Sequence, residues 1–359
     1  MTDLCLPPFH SAPQHGPRPL PLFLELLRSE TAQSPERRAA ALAGLKAYQD
    51  AERPAERAAK PAFARAGRAT LRDYGAKGGS TGPTAVFIPS LINPPHVLDL
   101  ARGNSLLRWL ARQGVRPMLV DWGTPTPQER DLDVTGHVEQ LLLPLLRALE
   151  RPPILVGYCL GGTIAAAAAS AIETAGLVQI AAPWHFAGYG DAVAGMSALW
   201  DSAHAPCDRL GLVPMEVLQS GFWRLDPRRT VAKFERFATL RPGGAEARAF
   251  IALEDWANEG APLTFAAGRQ LFDDFLTADL PGRGRWTVCG KRVEPEALTM
   301  PMLSFVSASD RIVPAATAAR VGERVTLSLG HVGMIIGTRA RSALWQPLAD
   351  WLTAQTIPK

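Results

Sequence analysis

The stretch PPILVGYCLGGTIAAAAASA, residues 152–171, decides the fold. A short apolar run ends at Gly157, and from Leu160 an alanine-rich run begins at helical length. Between them stands Gly157-Tyr158-Cys159-Leu160-Gly161, a G-x-nucleophile-x-G turn with Cys where Ser is usual. Such a turn is strained. Glycines two before and two after the nucleophile let strand and helix approach without a Cβ collision. The sulfur then projects above the carboxyl edge of a sheet. The Leu160 amide, at the helix N-terminus, is free to receive a developing oxyanion. The same helix end favours thiolate over thiol. A buried structural Cys between packing glycines is the plainer alternative, and the strand–turn–helix context argues against it.

Outward from this turn the chain alternates strands and helices. Upstream, TAVFIPSLI (84–92) and RPMLVDWG (116–123) read as strands, with helical patterns at 97–114 and 134–150. Downstream, LVQIAAPW (177–184) is the next strand. Short apolar strands alternating with helices of ten or more residues predict a mostly parallel sheet with helices on both faces. The pattern breaks near Trp184. Residues 185–298 offer helical stretches such as PMEVLQSGFWRL, TVAKFERFATL and EARAFIALEDWANEG, an inserted helical cap. The α/β pattern returns in 299–359 with MPMLSFVSASDRIVP, RVTLSLGHVG and a closing helix.

Residues 1–68 precede the first part of the core, 69–184. They read as a proline-rich tail holding His10 and His15, then two or three short helices punctuated by Pro35 and Pro54, with a solvated helical face preferred over a docking surface or amphipathic appendage. The two tail histidines could bind a metal; a loosely ordered terminus is the preferred reading. KGGSTGP, 77–83, reads as a loop.

A thiol nucleophile needs a base, and the base an orienting acid. In the chain order of the α/β-hydrolase fold the acid and then the His follow the nucleophile. Asp310 stands where MLSFVSAS ends, and His331 stands just after VTLSL, between Gly330 and Val332-Gly333. Both fall at strand C-terminal ends, where α/β sites assemble. The second oxyanion donor is expected in the loop Leu91–Asn93, with Ile92 the choice. Of the other histidines, His137 lies on a helix and is expected to face solvent. His96, after Asn93-Pro94-Pro95, either lines the site or caps the next helix; His185 and His204 fall in the cap. Asp121, before Trp122-Gly123, reads as fixing a turn, and neither it nor Asp131 or Asp133 has the acid's position after the cap.

Composition bounds the function. At 359 residues, 47% hydrophobic and 20% charged, the chain is of ordinary globular make-up, and 31 Gly and 31 Pro imply many loops. A net charge of +4, with only six Lys, is too small and dispersed for a nucleic-acid footprint. Cysteines at 5, 159, 207 and 289 lack CxxC spacing, which excludes a zinc knuckle and makes no disulfide framework. GxxxxGK[ST], GxGxxG after a strand and HExxH are absent, so no cofactor and no metal are expected. With no secretory leader pattern and no long apolar run, a cytoplasmic setting is the expectation.

Several motifs in order resemble one family, the poly(3-hydroxyalkanoate) synthases, in particular their short type that works with a second subunit. They are Ile88-Pro89-Ser90-Leu91-Ile92-Asn93, Val97-Leu98-Asp99-Leu100, Val120-Asp121-Trp122-Gly123-Thr124-Pro125 and the elbow extended to Gly162-Thr163. Downstream come Asp255-Trp256-Ala257-Asn258-Glu259-Gly260-Ala261-Pro262, Asp310-Arg311-Ile312-Val313-Pro314 and Gly330-His331-Val332-Gly333. The sequence departs from the family at Arg311, where His usually follows the acid, at Gly136-His137-Val138, and in LFDDFLTADL (271–280). The resemblance implies a polymerase of (R)-3-hydroxyacyl-CoA with nucleophile Cys159, acid Asp310 and base His331, CoA thioesters entering as substrate. It further implies a polyester granule surface and a second synthase subunit or a homodimer as partners. A hydrolase of polyester or acyl thioester, and a silent granule-surface protein, are the alternatives.

Overall fold

A computed structural model describes residues 16–53, 58–75 and 82–355. His10, His15, Cys5, Pro54 and residues 76–81 of the expected loop lie outside them. Eight strands form one sheet: β1 (Ala62–Ala66), β2 (Ala69–Asp73), β3 (Thr84–Ile88), β4 (Arg116–Asp121), β5 (Ile154–Tyr158), β6 (Gly176–Ile180), β7 (Met302–Ser307) and β8 (Glu323–Leu327). Their order is β1-β2-β4-β3-β5-β6-β7-β8. From β4 to β8 every pairing is parallel, while β2 runs antiparallel to both β1 and β4. That order, with helices around the sheet, is the α/β-hydrolase fold predicted from the sequence.

The central strands β3, β5 and β6 are buried almost end to end, as expected of strands covered on both faces. The helix Leu160–Ala171 buries ten consecutive residues, Leu160 to Ala169, so its alanines serve close packing on the sheet rather than an amphipathic surface. The sheet starts earlier than the sequence suggests: β1 lies within 62–66, inside the segment assigned to N-terminal helices, because it pairs with β2 as a hairpin turning at Gly67 (φ +53°). Two short strands, Leu212–Val213 and Leu263–Thr264, also pair within the stretch expected to lack strands.

His137 corrects the sequence reading. It is buried, not solvent-facing: at helical spacing it shares a face with the buried Val134, Val138 and Leu141, and both ring nitrogens find partners there. Its Nδ1 lies 2.6 Å from the Asp133 carbonyl and its Nε2 2.6 Å from the Arg68 guanidinium. The guanidinium can only donate, so Nε2 accepts and Nδ1–H donates. Burial, ahead of every other influence, depresses its pKa to about 4.

The chain divides into two compact units, one of Met1–Ala55 with Asp226–Asn258 and the other of Glu56–Leu225 with Glu259–Lys359, which holds the sheet. In the first unit the helices Leu20–Glu30 and Pro35–Asp50 bury Phe23, Leu27, Ala41, Leu45 and Tyr48. Phe23 meets Phe234, and Tyr48 meets Phe234 and Phe237 of the helix Pro227–Phe237, all edge to face, with Phe23 and Phe234 centroids 5.0 Å apart. At Gly44 a Cβ would fall 1.9 Å from the Phe234 carbonyl oxygen, so the two backbones touch there. Asp255 accepts from Tyr48 Oη at 2.6 Å and pairs with Arg53 at 3.1 Å. The segment therefore carries a packed apolar face, where the sequence pattern suggests a solvated one.

Candidate active site

The site is built on the second unit's strand ends. Cys159 follows β5 with φ 57° and ψ −135°, a conformation few non-glycine residues adopt. Its amide donates to the Ile180 carbonyl at the end of β6, which pins the turn. The flanking glycines are required sterically. A Cβ on Gly157 would sit 2.3 Å from Gly162 Cα, and one on Gly161 would sit 2.0 Å from the Ile88 carbonyl oxygen. The helix thus presses its first turn against the end of β3.

β7 and β8 pair through Ser307 and Leu327, so the loops that leave them start side by side. Asp310 and His331 lie three and four residues beyond those strand ends. Asp310 Oδ1 accepts the backbone amides of Ile312 and Val313 at 2.8 and 3.0 Å. Its Oδ2 is thereby aimed at His331 Nδ1, 2.6 Å away, with both side chains buried. Cys159 stands close enough to the same imidazole for its charge to act on it, and with Nδ1 taken by Asp310 the remaining ring nitrogen, Nε2, is left for the sulfur. Burial opposes the charged imidazolium, but the Cys159 thiolate and the Asp310 hydrogen bond outweigh it and raise His331 to about 10. Cys159, Asp310 and His331 therefore come together in one place.

The loop expected to supply the second oxyanion donor lies beside the turn. Trp122 Nε1 donates to the Pro89 carbonyl at 3.0 Å and holds the loop's start; the Asp121 side chain accepts from the Gly123 amide at 3.2 Å and pairs with Arg72, fixing that turn. Leu160 begins the helix, so its amide has no intrahelical acceptor. Ile92 differs from the expectation. Its amide donates to Ser90 Oγ at 3.1 Å, because a Ser two residues upstream closes a local side-chain turn.

His96 lies in the turn Pro95–Asp99 with Nε2 3.8 Å from Glu259, and His204 packs edge-on against Trp200. The His185 amide donates to the Thr317 carbonyl at 2.8 Å, anchoring the turn 186–189 beside the loop after Asp310. Two tyrosines at the site went unread in the sequence. Tyr158, immediately before the nucleophile, stacks on the His331 imidazole. Tyr189, raised in pKa first by burial, also feels the charges of Cys159 and Asp310. For Tyr158 the signal was available, since the residue before an elbow nucleophile ends the strand beside the loops that carry acid and base.

The sheet order, the strained cysteine turn and the two loops that meet it define the class: a chain of the α/β-hydrolase fold with a cysteine at the nucleophile turn. Within that class the resemblance to poly(3-hydroxyalkanoate) synthases is borne out. The poly(3-hydroxyalkanoate) polymerase subunit PhaC of Haloferax mediterranei is 26% identical over 292 residues, 76% of this chain and 58% of that protein. The subunit of the same name from Synechocystis sp. is 24% identical over 290 residues, 75% of this chain and 77% of its own. The chain spans about three-fifths of the length of the haloarchaeal relatives it matches. No family model matches it. Among solved structures, a monoacylglycerol lipase from Paleococcus ferrophilus aligns over 80% of this chain and 98% of its own at 14% identity, TM-score 0.49. Among the described residues, no helix is long and apolar enough to cross a membrane.

Proposed function

We propose that this chain is a polyhydroxyalkanoate synthase-like acyltransferase that polymerises (R)-3-hydroxyacyl-CoA through a thioester on Cys159. The observation that carries the reading is the Asp310–His331 contact of 2.6 Å with Cys159 in reach of the same imidazole. The similarity to polymerase subunits over three-quarters of the chain supports the substrate class.

His331 takes the proton of Cys159, and the thiolate attacks the thioester carbonyl. The Leu160 amide and an amide of the Leu91–Asn93 loop receive the oxyanion. The C–S bond to CoA breaks, and the CoA sulfur leaves with the proton from His331, so one thioester replaces another at nearly balanced free energy. His331, neutral again, then takes the proton of an incoming hydroxyl, whose oxygen attacks the Cys159 thioester and frees the thiol. A hydroxyl from another hydroxyacyl unit lengthens the chain; one from water releases an acid. By the same resemblance the chain works at a polyester granule, alongside a second subunit or as a homodimer.

The test supplies (R)-3-hydroxybutyryl-CoA with and without a candidate partner from the same genome. It follows CoA release by thiol assay and the product by sedimentation and mass. Insoluble polyester in either condition is the expected result. CoA release with only monomeric acid in both would replace the polymerase by a hydrolase, and no CoA release with no Cys159 labelling would leave a silent protein.

A further inference from the structure

We propose that Tyr158 is a positioning residue for His331, its ring carrying the imidazolium on a π face and its hydroxyl pinning the carbonyl of the same histidine. The inference rests on the reading of Cys159 and His331 as a working pair. Two contacts reach the histidine from one side chain. The rings stack with centroids 5.0 Å apart and planes 24° from parallel. The phenol hydroxyl donates to the His331 backbone carbonyl at 3.2 Å. Tyr158 is 4% exposed, and burial pushes its phenol well above the ordinary range, so it stays a neutral donor.

The arrangement answers a problem the site poses. His331 hangs on a loop, and Asp310 meets only the edge of its ring through Nδ1. One in-plane hydrogen bond fixes the direction of Nδ1 but lets the ring swing about that axis, which would carry Nε2 away from the sulfur. A flat partner against the ring face suppresses that swing. Tyr158 is itself fixed, since it closes β5 paired with Ile180 and is followed directly by the strained turn at Cys159. Base and nucleophile are thus registered to each other through adjacent residues of one strand end.

Charge points the same way. A cation within about 6 Å of an aromatic centroid is attracted by the ring's quadrupole, and more so where water is excluded. The imidazolium formed when Cys159 gives up its proton lies within that distance. The titratable groups acting at the pair are Asp310 from the β7 loop and the buried phenols of Tyr158 and Tyr189 from β5 and the turn 186–189. Of these, the contacts above give Tyr158 the face of the ring. Its π face and the Asp310 carboxylate favour the same state, imidazolium beside thiolate.

The experiment is an NMR titration of the His331 imidazole in histidine-labelled full-length chain, assigned with His331→Gln. It needs no acyl substrate, so it separates this inference from the polymerase reading. Tyr158→Met fills the space without a π face and should lower the His331 midpoint by roughly half a unit to one unit. Tyr158→Phe keeps the face and should keep the midpoint while losing part of kcat, with KM for hydroxybutyryl-CoA unchanged in both variants. Should the Met chain fail to fold, Tyr158→Leu makes the same comparison. A midpoint unchanged in Met or Leu, or a wild-type His331 that titrates near an ordinary 6.5, would overturn the role.

Discussion

Gly161→Ala tests whether the close approach of helix and strand builds the oxyanion site. The added Cβ would lie 2.0 Å from the Ile88 carbonyl oxygen and 2.7 Å from the Pro89 carbonyl carbon, where ordinary contact begins at 3.4 Å. Both obstacles are backbone, so no rotamer change relieves them, and the end of β3 must retreat by about 1 Å or more. Pro89 is also the acceptor of Trp122 Nε1, so the retreat either strains that hydrogen bond or shifts the indole. Overpacking of this kind costs about 1–3 kcal/mol, a drop of several degrees in melting temperature. The larger effect falls on turnover. The loop carrying the second oxyanion donor begins at Pro89, and loss of one such donor costs about 10²–10³ in kcat. Cys159 and His331 stand on the other side of the turn and should keep their contact. The assay pairs CoA release with iodoacetamide labelling of Cys159 at neutral pH. Turnover should fall at least about 100-fold while the labelling rate stays within about threefold of wild type. Wild-type turnover, or labelling lost together with turnover, would refute the reasoning.

Cys159→Ala should abolish CoA release and His331→Gln should lower it by about 10²–10⁴, with melting temperatures near wild type by calorimetry. Asp310→Asn keeps an oxygen for the amides of Ile312 and Val313 but turns an NH2 toward Nδ1, so a similar 10²–10⁴-fold loss is expected in steady-state kinetics with the fold intact. His137 sits at about 4 when folded and near 6.5 when unfolded, so between these values only the unfolded chain binds the proton. Its contribution is complete above about pH 6.5 and lost as pH falls toward about 4, about 3 kcal/mol in all; urea unfolding across that window should show the slope, and His137→Gln should flatten it. Gly44→Ala, with its Cβ 1.9 Å from the Phe234 carbonyl oxygen, should destabilise the first unit by about 1–3 kcal/mol or more in chemical denaturation.

Local chemistry made the strand–turn–helix at 152–171 legible, because each feature there has a neighbour-scale cause: glycines where backbones touch, a helix start, a nucleophile between them. Asp310 and His331 were legible as candidates for the same reason, since strand ends can be counted; the pairing that makes them meet, Ser307 with Leu327, is a register no local pattern states. His137 was misread because a histidine needs polar partners to be buried, and the one that meets its Nε2, Arg68, is 69 residues away in sequence, which no local pattern states. Ile92 was misread because spacing selects a loop but not which amide Ser90 has already engaged. The helices 20–50 looked solvated because the partner that gives their apolar residues a face, the helix Pro227–Phe237, is far away in sequence.

That distance has a consequence in time. Tyr48 and Phe234 are separated by roughly 190 residues, and at synthesis rates of about 5–20 residues per second the first waits about 10–40 s for the second. During that interval Phe23, Leu27 and Tyr48 have no aromatic partner from 226–258 to close over them, while the early sheet strands of the second unit already have theirs. The unit therefore finishes late although it starts first, and its apolar face is open to chaperones and proteases for as long as the ribosome needs to cross the core. A nascent chain halted before residue 226 should be cut readily within 16–53, and one halted well past 258 should resist.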